Sequence, residues 1–470
     1  MAWTHDIVVI GAGAAGLTVA GGCARLGLRV ALVERDRMGG ECLNTGCVPS
    51  KALLAASRRV HALRETRLGI AGAAPEIDFA AIRAHVTAAI AAIAPHDSEA
   101  RFAAWGVEVI RGDATLIGRH AVRVASRTLE APRIVLATGS DPAVPPIPGL
   151  PDIPFLTNDT LFGLETLPQH LLILGGGSIG VEMAQAFRRF GADVTVIERG
   201  VLLPRSDREA AGFLVERLRA EGVTVLDHAK VTAAAADPGG PRLEIEGQAA
   251  IRGTHLLVAT GRSARLDGLG LESAGVEWTE HGITVDARRR TSNKAIYAIG
   301  DCRAGPRFTH AAGYDGRLVV SALGFGLASA ARSDLLPAVI YTEPELAQLG
   351  ATEQEARARW GRVDIVRQDW SDNDRAVADG DTAGFVKILR VGRKVVGVTM
   401  MGAHVGELLL PWSLVMRGKA SLWTLMDAVV PYPTRSEILQ ATAFSVFENA
   451  LFGNPARRWA RLLAWKRRFA

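Results

Sequence analysis

At 470 residues the chain is long enough for about three domains, each able to bury its own core. Apolar residues make up 48% and charged residues 22%, and there are four cysteines, which excludes a disulfide-stapled secreted scaffold and fits a reducing compartment. The formal charge of +5 is concentrated in residues 457–470, where Arg457, Arg458, Arg461, Lys466, Arg467 and Arg468 occur without an acid; the rest holds 48 basic against 49 acidic residues, so the basic balance gives no ground for nucleic-acid binding and no such partner is expected.

The first residues, Met-Ala-Trp-Thr-His-Asp, pass straight into a strand and leave no room for a signal peptide. No uninterrupted apolar run approaches the roughly 18 residues that span a bilayer. A cytoplasmic location is the expectation. Asp6-Ile7-Val8-Val9-Ile10 reads as a buried parallel strand. Gly11, Gly13 and Gly16 follow as G-x-G-x-x-G, then a helical stretch and a second strand ending in Glu34. In this pattern the first glycine allows the tight turn, the second lets backbone approach a pyrophosphate, and the third lets helix pack on strand. The helix N-terminus presents N–H groups to the phosphates, and the glutamate accepts from ribose hydroxyls.

Next comes Gly39-Gly40-Glu41-Cys42-Leu43-Asn44-Thr45-Gly46-Cys47-Val48-Pro49-Ser50-Lys51. On a continuous helix, Cys42 and Cys47 would stand about 140° apart, with Cα atoms about 8 to 9 Å apart, too far for a disulfide. If they pair, the backbone must leave the helix between them, and Asn44-Thr45-Gly46 suits such a departure. A bond closed that way is readily reduced. Lys51 follows Cys47 by one turn, and a cysteine at a helix start beside a lysine is biased towards thiolate. A half zinc site or a structural bridge are the other readings of two cysteines. Zinc would need two further ligands, while Cys23 and Cys302 are isolated, and no resident metal site is assigned. A helical, alanine-rich stretch then runs from about Lys51 to Trp105.

The opening design recurs at Leu171–Leu174, with Gly175, Gly177 and Gly180 and a strand closing on Glu198. From third glycine to glutamate is 18 residues in both copies. A lone glycine triplet is also found in the turns of non-binding domains, whereas the whole pattern twice at one spacing is a strong signal. Each copy later returns an Ala-Thr-Gly turn, Ala137-Thr138-Gly139 and Ala259-Thr260-Gly261, and Pro145–Gly149 reads as a hinge between the copies. After about residue 284 the chain goes back to the first domain, with Ile296–Ile299 running into Gly300-Asp301.

The chain resembles the class I flavoprotein disulfide reductases over residues 6 to about 450, on the double fingerprint, the Gly-Gly-Glu-Cys-Leu-Asn-Thr-Gly-Cys-Val-Pro-Ser-Lys run, the two Ala-Thr-Gly turns and Gly300-Asp301. The resemblance implies an α/β fold with two Rossmann-like domains, for FAD and NAD(P)H, and an α+β dimerisation domain. The expected boundaries are 1–155 and 284–334 for FAD, 156–283 for NAD(P)H, 335–452 for dimerisation and 453–470 for a basic tail. It implies a redox-active Cys42–Cys47 disulfide, Cys47 facing the flavin and Cys42 meeting the substrate, with Lys51 and Glu182 near the two rings; a solvated helix acid is the plainer reading of Glu182. Cofactor contacts fall to Gly11, Gly13, Gly16, Glu34, Gly39, Gly40, Thr138, Gly139 and Asp301 for FAD, and to Gly175, Gly177, Gly180, Glu198, Gly261 and Arg262 for the nicotinamide nucleotide. Glu198 favours the ribose diol of NADH and repels a 2′-phosphate, although Arg199 and Arg205 lie close by. The segment from Ala338 looks like the start of the dimerisation domain, and a homodimer is implied.

One departure bears on function. The family's closing motif is His-Pro-Thr followed by Ser-Glu, its histidine an acid–base held by the glutamate. Here it reads Tyr432-Pro433-Thr434-Arg435-Ser436-Glu437, and a phenol titrates near 10 and is no base at neutral pH. Tyrosine there looks like mercuric reductases, yet their adjacent C-terminal cysteines and N-terminal cysteine domain are absent. Three functions follow. The first is a mercuric-reductase-like flavoenzyme reducing a metal ion or small acceptor. The second is a disulfide reductase of dihydrolipoamide dehydrogenase type acting on a lipoyl or other thiol carrier. The third is a redox sensor or electron carrier to a membrane partner. Trp459, Leu462, Leu463 and Phe469 among the six tail cations suggest a membrane-surface contact, against a helix docked on the protein's own dimer.

Overall fold

A computed structural model describes residues 3–468. The residues group into two compact units, the first holding the chain through Glu65, Gly72–Val201 and Glu221–Ser333, the second Thr66–Ala71, Leu202–Ala220 and the described residues from Asp334 onward. Phe469 lies outside the described residues.

The first unit carries both glycine fingerprints. Its first half runs β1 (Ile7–Ile10), α1 (Ala14–Ala24), β2 (Val30–Glu34), α2 (Gly40–Asn44), α3 (Cys47–Arg64), α4 (Phe79–Ile93), α5 (Glu99–Ala104), β3 (Val107–Arg111) and β4 (Arg133–Leu136). The second half contributes β5 (His170–Leu174), α6 (Ser178–Phe190), β6 (Asp193–Ile197), β7 (Thr224–Leu226) and β8 (His255–Val258), after which β9 (Ile296–Ala298) and α7 (Thr309–Phe325) return to the first half. The sheets are parallel, ordered β9-β4-β1-β2-β3 and β7-β6-β5-β8. Every residue of β1 is buried, as a strand covered on both faces requires. α7 packs along α1, where Gly316 leaves room for Thr18.

The two halves are laced symmetrically. Ser140–Pro142 pairs antiparallel with Arg262–Ala264, the Thr138 hydroxyl donates to the Arg265 carbonyl (2.8 Å), and the Thr260 hydroxyl donates to the Ala143 carbonyl (2.7 Å). The Pro145–Gly149 segment is therefore no free hinge. Ala234 N–H donates to Pro148, and a Cβ on Gly149 would overlap the Ala234 carbonyl.

The reading of apolar runs needs one correction. By length and composition the helical run Phe79–Ala104 is long and apolar enough to cross a membrane, although only 6% of its most apolar window is buried. Alanine raises hydropathy without bulk, and Arg83, His85 and Pro95 interrupt the stretch in sequence. The chain turns through Ala94–Asp97 and recaps at Ser98, whose hydroxyl accepts from Arg101 N–H.

The second unit is built on an antiparallel sheet of β10 (Ala338–Ile340), β11 (Glu345–Gly350), β12 (Asp364–Asp369), β13 (Phe385–Val391) and β14 (Lys394–Gly402), ordered β10-β11-β14-β13-β12. Trp370 and Trp412 are fully buried on it. The helix Arg208–Ala220, inside the expected 156–283 segment, groups with this unit, where buried Lys387 reaches Asp207 (2.8 Å) and Glu209 (3.0 Å). Two final helices are α8 (Glu437–Phe452) and α9 (Asn454–Lys466).

Candidate active site

Both fingerprints fold as the spacing predicts, and their glycines are required for different reasons. Gly11 and Gly175 have φ of 102° and 114°, and a Cβ on either would run into the carbonyl of Ala137 or Ala259, the alanines of the two Ala-Thr-Gly turns. A Cβ on Gly16 or Gly180 would overlap the carbonyl of Gly11 or Gly175. Gly177 has nothing within 4 Å, and Gly13 has only the Gly40 Cα at that limit. The second glycines thus leave open backbone where a pyrophosphate would approach, so the cradles fit dinucleotides. Glu34 accepts from Ala12 N–H (2.6 Å) and Asp36 N–H (2.8 Å); Glu198 accepts from Gly176 N–H (2.8 Å) and Gly200 N–H (3.0 Å). Each carboxylate is held beside its own glycine turn.

Gly39 and Gly40 have φ of 86° and 59°, and Gly40 lies against Gly13, which sets α2 beside the first cradle. α2 lasts five residues. The Asn44 amide donates to Met38 and Gly40 carbonyls (3.0 and 2.8 Å), Thr45 and Gly46 leave helical geometry, and α3 starts at Cys47. The backbone break expected between the cysteines is present. Cys42 is half-buried and Cys47 exposed at the head of α3, and the two thiols are close enough for each to shift the other's acidity.

Their acidities diverge. The hydrogen bond from Cys42, that with Thr309 Oγ1 at 3.2 Å, and the Lys51 charge bring Cys47 down to about 6, against burial and the Glu182 carboxylate. Donating to Cys47, together with burial, holds the Cys42 thiol well above its ordinary range. The pair is thus biased towards a thiolate on Cys47 with the proton on Cys42. Lys51 Nζ lies 2.9 Å from Glu182 Oε2, and the Glu182 side chain is only 5% exposed, so the solvated-acid reading fails.

Arg262, expected among the contacts of the nicotinamide nucleotide, has its guanidinium bonded to protein groups. It donates to Glu41, to Asn158 Oδ1 (3.0 Å), and to the Ser140 hydroxyl and carbonyl (both 2.8 Å). Asn158 also donates to Glu41 (3.0 Å), and Ser140 donates to Asp301 (3.0 Å). Burial pushes Glu41 up to about 7 against the pull of Arg262, and burial raises Asp301 also. Arg262 therefore fastens α2, and the cysteine it carries, to the second half. The sequence reading missed Glu41, Ser140, Asn158 and Thr309. Glu41 lay in plain view before Cys42, while Thr309 is 262 residues from its cysteine and had no local signal.

In the second unit the Tyr432 hydroxyl donates to Asp374 Oδ2 (3.0 Å), which raises its pKa further. Glu437 accepts from Thr434 N–H (2.9 Å), a local helix-start bond.

Residues 5–316 match the model of the pyridine nucleotide-disulphide oxidoreductases, and 336–443 that of their dimerisation domain. The chain belongs to this family. It is 35% identical over 467 residues to dihydrolipoyl dehydrogenase 3 of Pseudomonas aeruginosa (95% of this chain, 99% of that one). It is 34% identical over 459 residues to a mercuric reductase of Acidithiobacillus ferrooxidans (93% and 82%). The Cu(II) complex of the HOCl-induced flavoprotein disulfide reductase RclA from Escherichia coli superposes with a TM-score of 0.83 at 30% identity, covering 93% of this chain and 99% of that one. Family members are oxidoreductases that use FAD and NAD(P)H, and the dimerisation match supports a homodimer.

Proposed function

We propose that this oxidoreductase reduces a metal ion or small acceptor through Cys42 and Cys47, in the manner of a mercuric reductase. Gly11, Gly13, Gly16, Glu34 and Asp301 would hold FAD, and Gly175, Gly177, Gly180 and Glu198 the nicotinamide nucleotide. When bound, these cofactors supply the electron pair that opens the Cys42–Cys47 disulfide. The protein's own groups then set the product dithiol. Lys51 and Thr309 hold Cys47 as thiolate, Cys42 retains the proton, and Arg262 with Asn158 fixes the helix that presents Cys42.

The observation that carries the reading is Tyr432. Reducing an organic disulfide requires a proton for the leaving thiolate, and a tyrosine bonded to Asp374 with a raised pKa is no donor–acceptor poised near neutrality. A soft metal ion bound by thiolates needs no such proton. The mercuric reductase relatives and the Cu(II) complex of RclA support a metal-ion acceptor. The test is steady-state NADH turnover with mercuric ion, cupric ion, lipoamide, glutathione disulfide and quinones. Fast turnover of mercuric or cupric ion and slow turnover of both disulfides is expected.

The second reading, a lipoyl-type disulfide reductase, draws on the similarity to a dihydrolipoyl dehydrogenase over nearly all of its length. Rapid lipoamide reduction in that panel would establish it in place of the first.

A further inference from the structure

Helix α9 lies in the second unit, beyond the residues matched by the dimerisation domain, and none of its residues is buried. At 100° per residue, Pro455, Trp459, Leu462 and Leu463 fall within an arc of about 100° that also holds Lys466, while Arg457 and Arg461 fall opposite it and Arg458 and Trp465 lie on its flank. Arg467 and Arg468 follow directly, and no Asp or Glu occurs after Glu448. Trp459 is 60% exposed and Leu462 41%. The family's dimerisation match stops at residue 443, before this helix begins, and a relative matched over 99% of its own length leaves about a twentieth of this chain over.

An exposed helix with a tryptophan–leucine face and an arginine face, on a body otherwise near neutral, calls for a partner that is apolar and anionic in one plane. A bilayer with acidic headgroups offers both, with the apolar arc at the acyl boundary and the arginines among the phosphates. A second copy of α9 would bring like charges together, and a nucleic acid offers no apolar layer. We infer that α9 is an interfacial helix that docks this reductase on anionic membrane surfaces. A homodimer would carry two such helices, which strengthens attachment without new contacts. The inference is independent of which acceptor is reduced.

The test is co-flotation of the full-length, FAD-loaded protein with vesicles of phosphatidylglycerol and phosphatidylcholine, beside vesicles of phosphatidylcholine alone. Binding to the anionic vesicles only is expected, weakening as salt rises. The triple variant Arg457→Gln, Arg458→Gln, Arg461→Gln should lose partitioning on the order of 100-fold. The double variant Trp459→Ser, Leu462→Ser should also release the protein, because charge alone does not seat an interfacial helix. A chain ending at Phe452 should stay dimeric, keep its NADH turnover and fail to float. Equal binding to both vesicle types, binding that survives truncation, or binding indifferent to the Trp459 and Leu462 changes would overturn the inference. So would a truncated chain that is monomeric, which would make α9 a dimer element.

Discussion

Removing the Lys51 charge should raise the pKa of Cys47, and neutralising its partner Glu182 should lower it. In the structure Cys47 is held at about 6 by Cys42, Thr309 and Lys51, against burial and Glu182. Lys51→Met deletes the attraction and leaves the buried Glu182 carboxylate without its 2.9 Å partner. An opposite charge within roughly 4 to 6 Å is worth about 1 to 3 units, and the partly exposed position of Lys51 argues for about 1 to 2. If Glu182 responds by taking up a proton, its repulsion vanishes, but the lost lysine attraction remains and the direction is unchanged. The obvious assay, alkylation rate at pH 7, is a poor reporter. A shift of about 1 unit upward takes the thiolate fraction from roughly nine-tenths to one-half, yet the more basic thiolate is roughly threefold more nucleophilic, and the two nearly cancel. The midpoint of the full pH–rate profile is therefore the measurement. It is read with iodoacetamide in a Cys42→Ser background, where the serine hydroxyl still donates to Cys47 and the two other cysteines are buried. Lys51→Met should move the midpoint up by about 1 to 2 units and raise the high-pH plateau about threefold per unit. Glu182→Gln should move both down. An unmoved midpoint in Lys51→Met, or both variants shifting the same way, would refute the assignment of Lys51 as the charge that holds Cys47 ionised.

Tyr432→His should raise lipoamide turnover by about 100-fold or more, the usual scale of acid–base help, while Tyr432→Phe lowers metal-ion turnover; steady-state kinetics with each acceptor decides. NADH should be used more efficiently than NADPH, because Glu198 closes the second fingerprint where the ribose of a bound nucleotide would lie; equal kcat/KM for the two would contradict this. Gly177→Ala should fold normally, since nothing lies within 4 Å of the added methyl, but should weaken nicotinamide nucleotide binding measured by titration. Gly16→Ala should instead lose folded, yellow protein on purification, because the methyl would collide with the Gly11 carbonyl.

The sequence by itself determined the features whose physics is local. A glycine turn feeding a helix, a closing acid at fixed distance, and a helix break between two cysteines are each dictated by backbone sterics within about 25 residues, and Gly11, Glu34, Gly175, Glu198 and Thr45–Gly46 adopt the geometry their spacing implied. The repeat made the same point twice, so the fold was legible. The Lys51 charge beside Cys47 was legible in the local spacing; what tertiary structure alone decided is the set of distant partners around the cysteines and that lysine. Cys47 owes its acidity first to Cys42, then to Thr309, 262 residues away, and to Lys51, whose partner Glu182 comes from the other half of the unit. Arg262, assigned to the nucleotide by the family resemblance, is brought by folding to Glu41, 221 residues earlier, a contact that no local pattern announced. Charges and hydrogen bonds act through space, so a residue's chemical role is fixed by which strands and helices the chain closure sets beside it. The sequence names the groups, and the fold chooses their partners.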